Sequence, residues 1–241
     1  MELPTINAPT YYIKLPSSGQ KIRIRPFLVK EEKILLIAAE SKDTNEIINA
    51  TKQVISNCIL DNDVNINDLV FFDVDYLFIA LRAKSVGETI EMNFVCNNVV
   101  DDNKCGNIFP VALDISNAEI IQNLEVKDKI DLDNGIGAKM KYPKYSVMKQ
   151  IVDDENQMDK KHRMIYSSID YIYNKDKIFS SKEFSREDFD KFIEGLTKTQ
   201  FEKLEGWVDN FPTFAITAEK DCSKCGHHHS IKYDEFTSFF L

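Results

Sequence analysis

The sequence has no apolar run approaching the roughly 18 to 20 residues that a bilayer-spanning helix needs. Its first residues, Met1-Glu2-Leu3-Pro4, lack the basic and apolar regions of a secretory signal. A membrane partner is therefore not expected, and the chain is expected in the cytoplasm where it is made. Positive charge is also short: 30 Lys and Arg stand against 39 Asp and Glu, for a formal net charge of -9. Such a surface repels phosphate backbones on average, which disfavours nucleic acid as a partner. Only the strip Lys139-Met140-Lys141-Tyr142-Pro143-Lys144 departs locally from that balance, and it reads as a solvated face. Catalytic groupings are missing as well. No paired carboxylates, Ser-His-Asp set or phosphate-cradling glycine loop stands out, and Gly135-Ile136-Gly137 is too short for the last of these. The segment starting at Asp61 opens like a calcium loop but has Ile66 and Phe72 where such a loop requires Gly and Glu, so it reads as a polar connection. No enzyme is expected.

What remains is a globular balance, 43% hydrophobic and 29% charged over 241 residues, enough for one large domain or a domain with an insertion. Tyr11–Leu15 and Lys21–Arg25 flank Pro16-Ser17-Ser18-Gly19 as an N-terminal hairpin. Helical spacing follows over Glu31–Glu40 and from Thr44, where Ile47, Thr51, Val54, Ile55 and Cys58 form one stripe, with Cys58 as a core residue. A third helix is expected behind Asp73 as its cap, carrying Val74, Leu77, Phe78 and Leu81. The period then changes to two, at Ile90, Met92 and Phe94 and again from Phe109 to Ile115. Another hairpin is expected around Asp133-Asn134-Gly135. From Met158 a helix is expected to carry His162, Ile165, Tyr166, Ile169 and Tyr173 on one face, with His162 as a hydrogen-bonded core residue. Capping boxes at Ser185/Asp188 and Thr197/Gln200 open two further helices.

Five cysteines are few and odd in number, and in a reducing compartment thiols serve more often as metal ligands or core residues than as disulfides. Four of them form two pairs that end alike, Lys104-Cys105-Gly106 and Lys224-Cys225-Gly226, with Cys96 and Cys222 as the leading members. Zinc takes four thiolates in a tetrahedron, and a Cys-x-x-Cys turn places two of them on one side of it. Glycine after the second cysteine lets the backbone curl toward the metal. Alternating segments flank each pair, Ile90–Val95 and Ile108–Leu113 for the first, Phe214–Ala218 and Ile231–Tyr233 for the second. This layout reads as a split zinc ribbon bound to structural zinc by Cys96, Cys105, Cys222 and Cys225. Reduced structural thiols and a disulfide or redox pair are the rival readings, and the wide loop Asn97–Lys104 counts against zinc. His227, His228 and His229 cannot all face one ion from a strand, so they read as a surface feature rather than a second metal site.

Two long strings carry a family resemblance: Ile24-Arg25-Pro26-Phe27-Leu28-Val29-Lys30-Glu31-Glu32-Lys33-Ile34-Leu35-Leu36, and Asp75-Tyr76-Leu77-Phe78 running to Leu81-Arg82-Ala83-Lys84-Ser85-Val86-Gly87-Glu88. Together with Phe192-Ile193, Phe201-Glu202-Lys203-Leu204 and the Cys222–Gly226 knuckle, they make the chain resemble the baseplate hub assembly proteins of T-even-type bacteriophages. The resemblance implies a non-enzymatic role in building the central hub of the tail baseplate. Other hub or tail proteins would be its partners, in the host cytoplasm during assembly or in the virion tail. A permanent hub component is the nearest alternative, and a zinc-ribbon regulator binding nucleic acid a more distant one. Arg25, Arg82 and Glu88 lie in these strings and read as structural ion-pair residues. The expectation is an α+β fold: residues 1–115 as an N-terminal α+β region with the first knuckle, 116–212 as a mainly helical insertion, and 213–241 as the second knuckle and a tail that complete the N-terminal domain. Phe236, Phe239, Phe240 and Leu241 are the candidate partner-binding residues of that tail, with packing on the chain's own core as the rival role.

Overall fold

A computed structural model describes residues 6–122, 125–154 and 156–233, so the tail residues Phe236, Phe239, Phe240 and Leu241 lie outside the described residues. The architecture is α+β, with seven α-helices and several small sheets among the described residues. In chain order the elements are β1 (Tyr11–Lys14), β2 (Lys21–Ile24), α1 (Val29–Ser41), α2 (Thr44–Cys58), α3 (Phe71–Ser85), β3 (Thr89–Val95), β4 (Val99–Val100), β5 (Asn103–Lys104), β6 (Ile108–Asp114) and β7 (Glu119–Ile121). There follow β8 (Lys129–Asp131), β9 (Gly137–Met140), α4 (Met148–Asp153), α5 (Gln157–Ser168), β10 (Ile169–Tyr173), β11 (Ile178–Ser180), α6 (Arg186–Glu194), α7 (Lys198–Asp209), β12 (Thr213–Asp221) and β13 (His228–Tyr233). Among the described residues they form two compact units, one within 6–65, 72–121 and 213–233, the other within 66–71 and 122–212.

In the first unit, α3 buries Val74, Leu77, Phe78, Ile79 and Leu81, more than one stripe's worth, which marks it as an interior helix. Asp73 does not cap it. Its carboxylate sits within the first turn and accepts from the Ser17 backbone N–H (2.9 Å) and hydroxyl, which pins the β1–β2 turn to α3. Glu31 is fully buried in α1 and takes the Arg25 guanidinium (3.1 Å) and the Leu28 backbone N–H (2.9 Å). Arg25 also donates to the carbonyls of Pro26 and Asn57, so it ties β2, α1 and α2 together. The contacts of the other two string residues are local: Glu88 pairs with Lys84 at 2.8 Å, while Arg82 forms a hydrogen bond to the Gly87 carbonyl rather than an ion pair. Cys58 is fully buried, as its place on the α2 stripe predicts.

The longer of the chain's two departures from this unit leaves after β7 and returns at β12, and those two points lie side by side, since Thr213 pairs with Ile121 and Ala215 with Glu119. Residues 115–117 form a 3-10 turn and β7 is an edge strand on β12.

The second unit carries a four-stranded sheet, ordered β11-β10-β9-β8, beside α4 to α7. Its core gathers Leu132, Met140, Ile165, Ile169, Phe189, Leu204 and Trp207. The helix that starts near Met158 stops at Ser168, and Ile169 to Tyr173, expected on that helix, form β10 instead. The run Ile169-Asp170-Tyr171-Ile172-Tyr173 is β-branched and aromatic, which suits a strand, and pairing with β9 and β11 overrides the helical spacing. His162 is half-buried with its ring edge-to-face on Phe201.

Candidate metal centre

β3 and β6 pair along their length from Thr89↔Asp114 to Val95↔Ile108, and β12 pairs with β13 from Ile216↔Tyr233 to Asp221↔His228. Each hairpin ends in a cysteine knuckle, and the two knuckles make the same turn. The Cys222 N–H donates to the His227 carbonyl and the Gly226 N–H to the Cys222 carbonyl, both at 2.9 Å. In the first knuckle the Cys96 N–H donates to Asn107 (2.8 Å) and the Gly106 N–H to Cys96 (3.1 Å). Gly106 and Gly226 adopt φ of 61° and 69°, the left-handed conformation that glycine reaches without a Cβ clash.

The wide spacing of the first pair has a simple origin. Val99–Lys104 rises from the knuckle as a two-stranded excursion, β4 against β5, turned by Asp101 and Asp102 at φ of 48° and 61°. Two successive positive φ values are those of a type I′ hairpin turn. At its base the Cys105 N–H donates to the Asn98 carbonyl at 2.8 Å, so the ends of the excursion meet and the knuckle below is undisturbed.

The four sulfurs Cys96, Cys105, Cys222 and Cys225 all lie within 4.8 Å of one another. Sγ of Cys96 is 3.7 Å from that of Cys225, and Sγ of Cys105 is 3.8 Å from that of Cys222. Four sulfurs each about 2.3 Å from a central zinc would be spaced by about 3.8 Å, whereas a disulfide requires about 2.05 Å. The arrangement therefore fits a tetrahedral metal ion and not a disulfide, and the four cysteines can hold such an ion.

Donors around Cys222 and Cys225 favour their thiolates. Burial works against charge on Cys222, but the backbone N–H groups of Cys225 and Lys224 and the Asn107 amide outweigh it and bring the thiol down to about 6. The backbone N–H of His227 and the Asn98 amide likewise lower Cys225. Cys96 goes the other way: burial lifts it to about 12, and a backbone N–H from Asn98 opposes that only in part. Negative charges on neighbouring sulfurs repel one another, and a bound cation would offset that repulsion. Cross-bracing comes from Asn107 Nδ2, 3.5 Å from Cys222 Sγ, from Asn98 Nδ2, 3.6 Å from Cys225 Sγ, and from Lys224, whose ammonium donates to the Cys105 carbonyl.

The three histidines part company, and the surface reading fails for one of them. His228 is exposed between Asp221 (2.6 Å) and Glu219 (2.9 Å), which raise its pKa. His227 is exposed too, but His229 is buried with Nε2 3.2 Å from Cys96 Sγ. Strand alternation along β13 was the signal for this, because His229 and Ile231 share the inner face. The asparagines Asn98 and Asn107 gave no such signal, since a side chain that donates to sulfur has no sequence pattern of its own.

The family described as T4 bacteriophage base plate protein matches residues 8–241, nearly the whole chain. The chain belongs to this family. No curated protein and no solved structure gives a significant match. As a member of this family the chain is a phage baseplate protein, and the four-cysteine cluster is a feature read from its own residues. No helix among the described residues is long and apolar enough to cross a membrane. The basic strip of residues 139–144 is spent within the fold, because Lys139 pairs with Asp128, Lys141 with Asp170 and Lys144 with Asp68.

Proposed function

We propose that this protein is a non-enzymatic assembly factor for the central hub of the tail baseplate, with a structural zinc ion at Cys96, Cys105, Cys222 and Cys225. The observation that carries the reading is the four-sulfur cluster, within 4.8 Å, in a chain of the base plate family. Four thiolates close the coordination sphere of zinc and leave no position for water or substrate, so the ion supplies rigidity rather than hydrolysis. On this reading the β3–β6 and β12–β13 hairpins are the halves of a split zinc ribbon. Residues 122–212 are an insertion carried by that platform, and Phe236, Phe239, Phe240 and Leu241 present apolar surface to hub or tail proteins. Assembly takes place in the host cytoplasm. Nucleic acid is disfavoured by the net charge of -9 and by the paired lysines of the basic strip.

The family description favours one other reading, a permanent component of the virion baseplate. Quantitative mass spectrometry of purified virions and of infected-cell lysate, counted against a known tail protein, separates the two. Abundance in lysate with absence from virions supports the assembly factor, and a fixed ratio to the hub in virions overturns it in favour of the permanent part.

A further inference from the structure

We infer that His229 positions and holds the Cys96 thiolate by donating its Nε2–H to the sulfur, and that this bond sets how tightly the four-thiolate centre retains its metal. The inference rests on the zinc reading above. Cys96 and Cys222 are buried residues, at 1% and 2% exposure. Cys222 has two backbone donors and the Asn107 amide, whereas Cys96 has the Asn98 backbone N–H and one nearby ring nitrogen, that of His229 at 3.2 Å. Water cannot take the place of a missing donor at a buried acceptor, and an unsatisfied charged one is the costliest kind.

His229 is built for this contact. It is 6% exposed, and its ring is fixed by Phe94 (centroids 5.3 Å apart) and Phe109 (5.8 Å), both on the hairpin that carries Cys96. The ring therefore bridges the two halves of the centre, reaching from β13 to a ligand at the end of β3. It is not itself a fifth ligand, because the compact donor cluster comprises the four cysteines without it. Zn²⁺ with four thiolates carries two net negative charges, and each N–H aimed at a sulfur disperses part of that charge, which favours the metal-bound state over the protonated thiols.

The experiment uses the full chain loaded with Zn²⁺, titrated against a competing chelator, and the Co²⁺-substituted form, whose thiolate-to-cobalt charge-transfer bands report the electron density on sulfur. His229→Phe keeps an aromatic ring and removes the donor; His229→Gln keeps a donor. Outer-shell substitutions of this kind typically weaken metal affinity by about 10- to 100-fold. The expected result is such a loss for H229F with shifted charge-transfer bands, and recovery of much of both in H229Q. Unchanged affinity and bands in H229F overturn the inference while leaving the zinc reading intact. A wild-type chain that takes up neither metal overturns both.

A measurement on the unaltered protein covers the case in which H229F does not fold. In the ¹¹³Cd-loaded chain, a scalar coupling between the metal and the His229 Nε2–H proton through the sulfur supports the bond. Its absence, or a direct metal–nitrogen coupling, overturns it.

Discussion

Deleting Val99–Lys104 joins Asn98 to Cys105 and turns the first knuckle into Cys-Asn-Asn-Cys-Gly, the spacing of the second. If the excursion is only grafted on the turn, the metal centre should survive its removal. Cutting the loop between the cysteines from eight residues to two lowers its closure entropy cost by about 1.2 kcal/mol, from (3/2)RT ln 4. It also removes two left-handed non-glycine residues, Asp101 and Asp102, at about 1 kcal/mol each. Against this stands the short exposed ladder of β4 and β5, whose hydrogen bonds contribute about 0.5 to 1.5 kcal/mol each. The balance is about 0 to 2 kcal/mol in favour of the shortened chain, or a Tm between unchanged and about 6 °C higher for a domain of this size. Zinc per chain by elemental analysis and Tm by calorimetry check it. Loss of the metal, or a Tm lower by more than about 4 °C, would refute the view that the two knuckles are equivalent turns.

Glu31→Ala should cost about 3 kcal/mol in urea unfolding, since it leaves the Arg25 guanidinium, 16% exposed, without its carboxylate. Burial opposes the Glu31 charge, but Arg25, the Leu28 N–H and Lys30 hold its carboxyl below the ordinary 4.5. The pair's stabilisation is therefore present above that pH and lost as pH falls through the lowered value, so the variant should lose less stability than wild type over the same acid range. Chelating the metal should speed hydrogen exchange in the knuckle half of β12–β13, while Phe214, Ala215 and Ile216, all buried, stay slow; mass spectrometry of exchanged peptides reads this, and uniform exchange along β12 counts against a local site. Truncation before Phe236 should abolish binding to a hub or tail partner without lowering Tm, and a lowered Tm would show that the tail packs on the chain's own core.

The parts of the fold legible in the sequence are those where local chemistry and tertiary packing agree. The capping boxes Ser185/Asp188 and Thr197/Gln200 begin α6 and α7, and Asp133-Asn134-Gly135 supplies three positive φ values to the β8–β9 turn. Two misreadings, one of element type and one of a helix cap, came from long-range partners. Ile169 and Tyr173 fit the helical period of α5, yet the edges of β9 and β11 make them a strand. Asp73 looks like a cap until Ser17, far away in sequence, claims its carboxylate. The cysteine pairs were legible because a repeated Lys-Cys-Gly signals a repeated turn. The wide loop of the first pair, which weighed against zinc, is an excursion whose ends meet at Asn98 and Cys105, a closure that spacing alone does not reveal.

The position of the cluster along β12 also decides what a metal there would stabilise. A cross-link stabilises most when it closes a long loop that nothing else closes. Cys105 and Cys222 bracket residues 106–221, which suggests that metal clips a large insertion at its base. But β12 already pairs with β7 through Thr213↔Ile121, at the other end of the strand from Cys222, and that ladder brings the ends of residues 122–212 together by itself. The remaining loops closed by the metal are short, running from Cys105 to β7 and from β12 to Cys222. The contribution of an ion held there would therefore be mainly its own metal–sulfur bonds and the ordering of two hairpin ends. Its loss should loosen the knuckles while the strand pair at the mouth of the second unit holds.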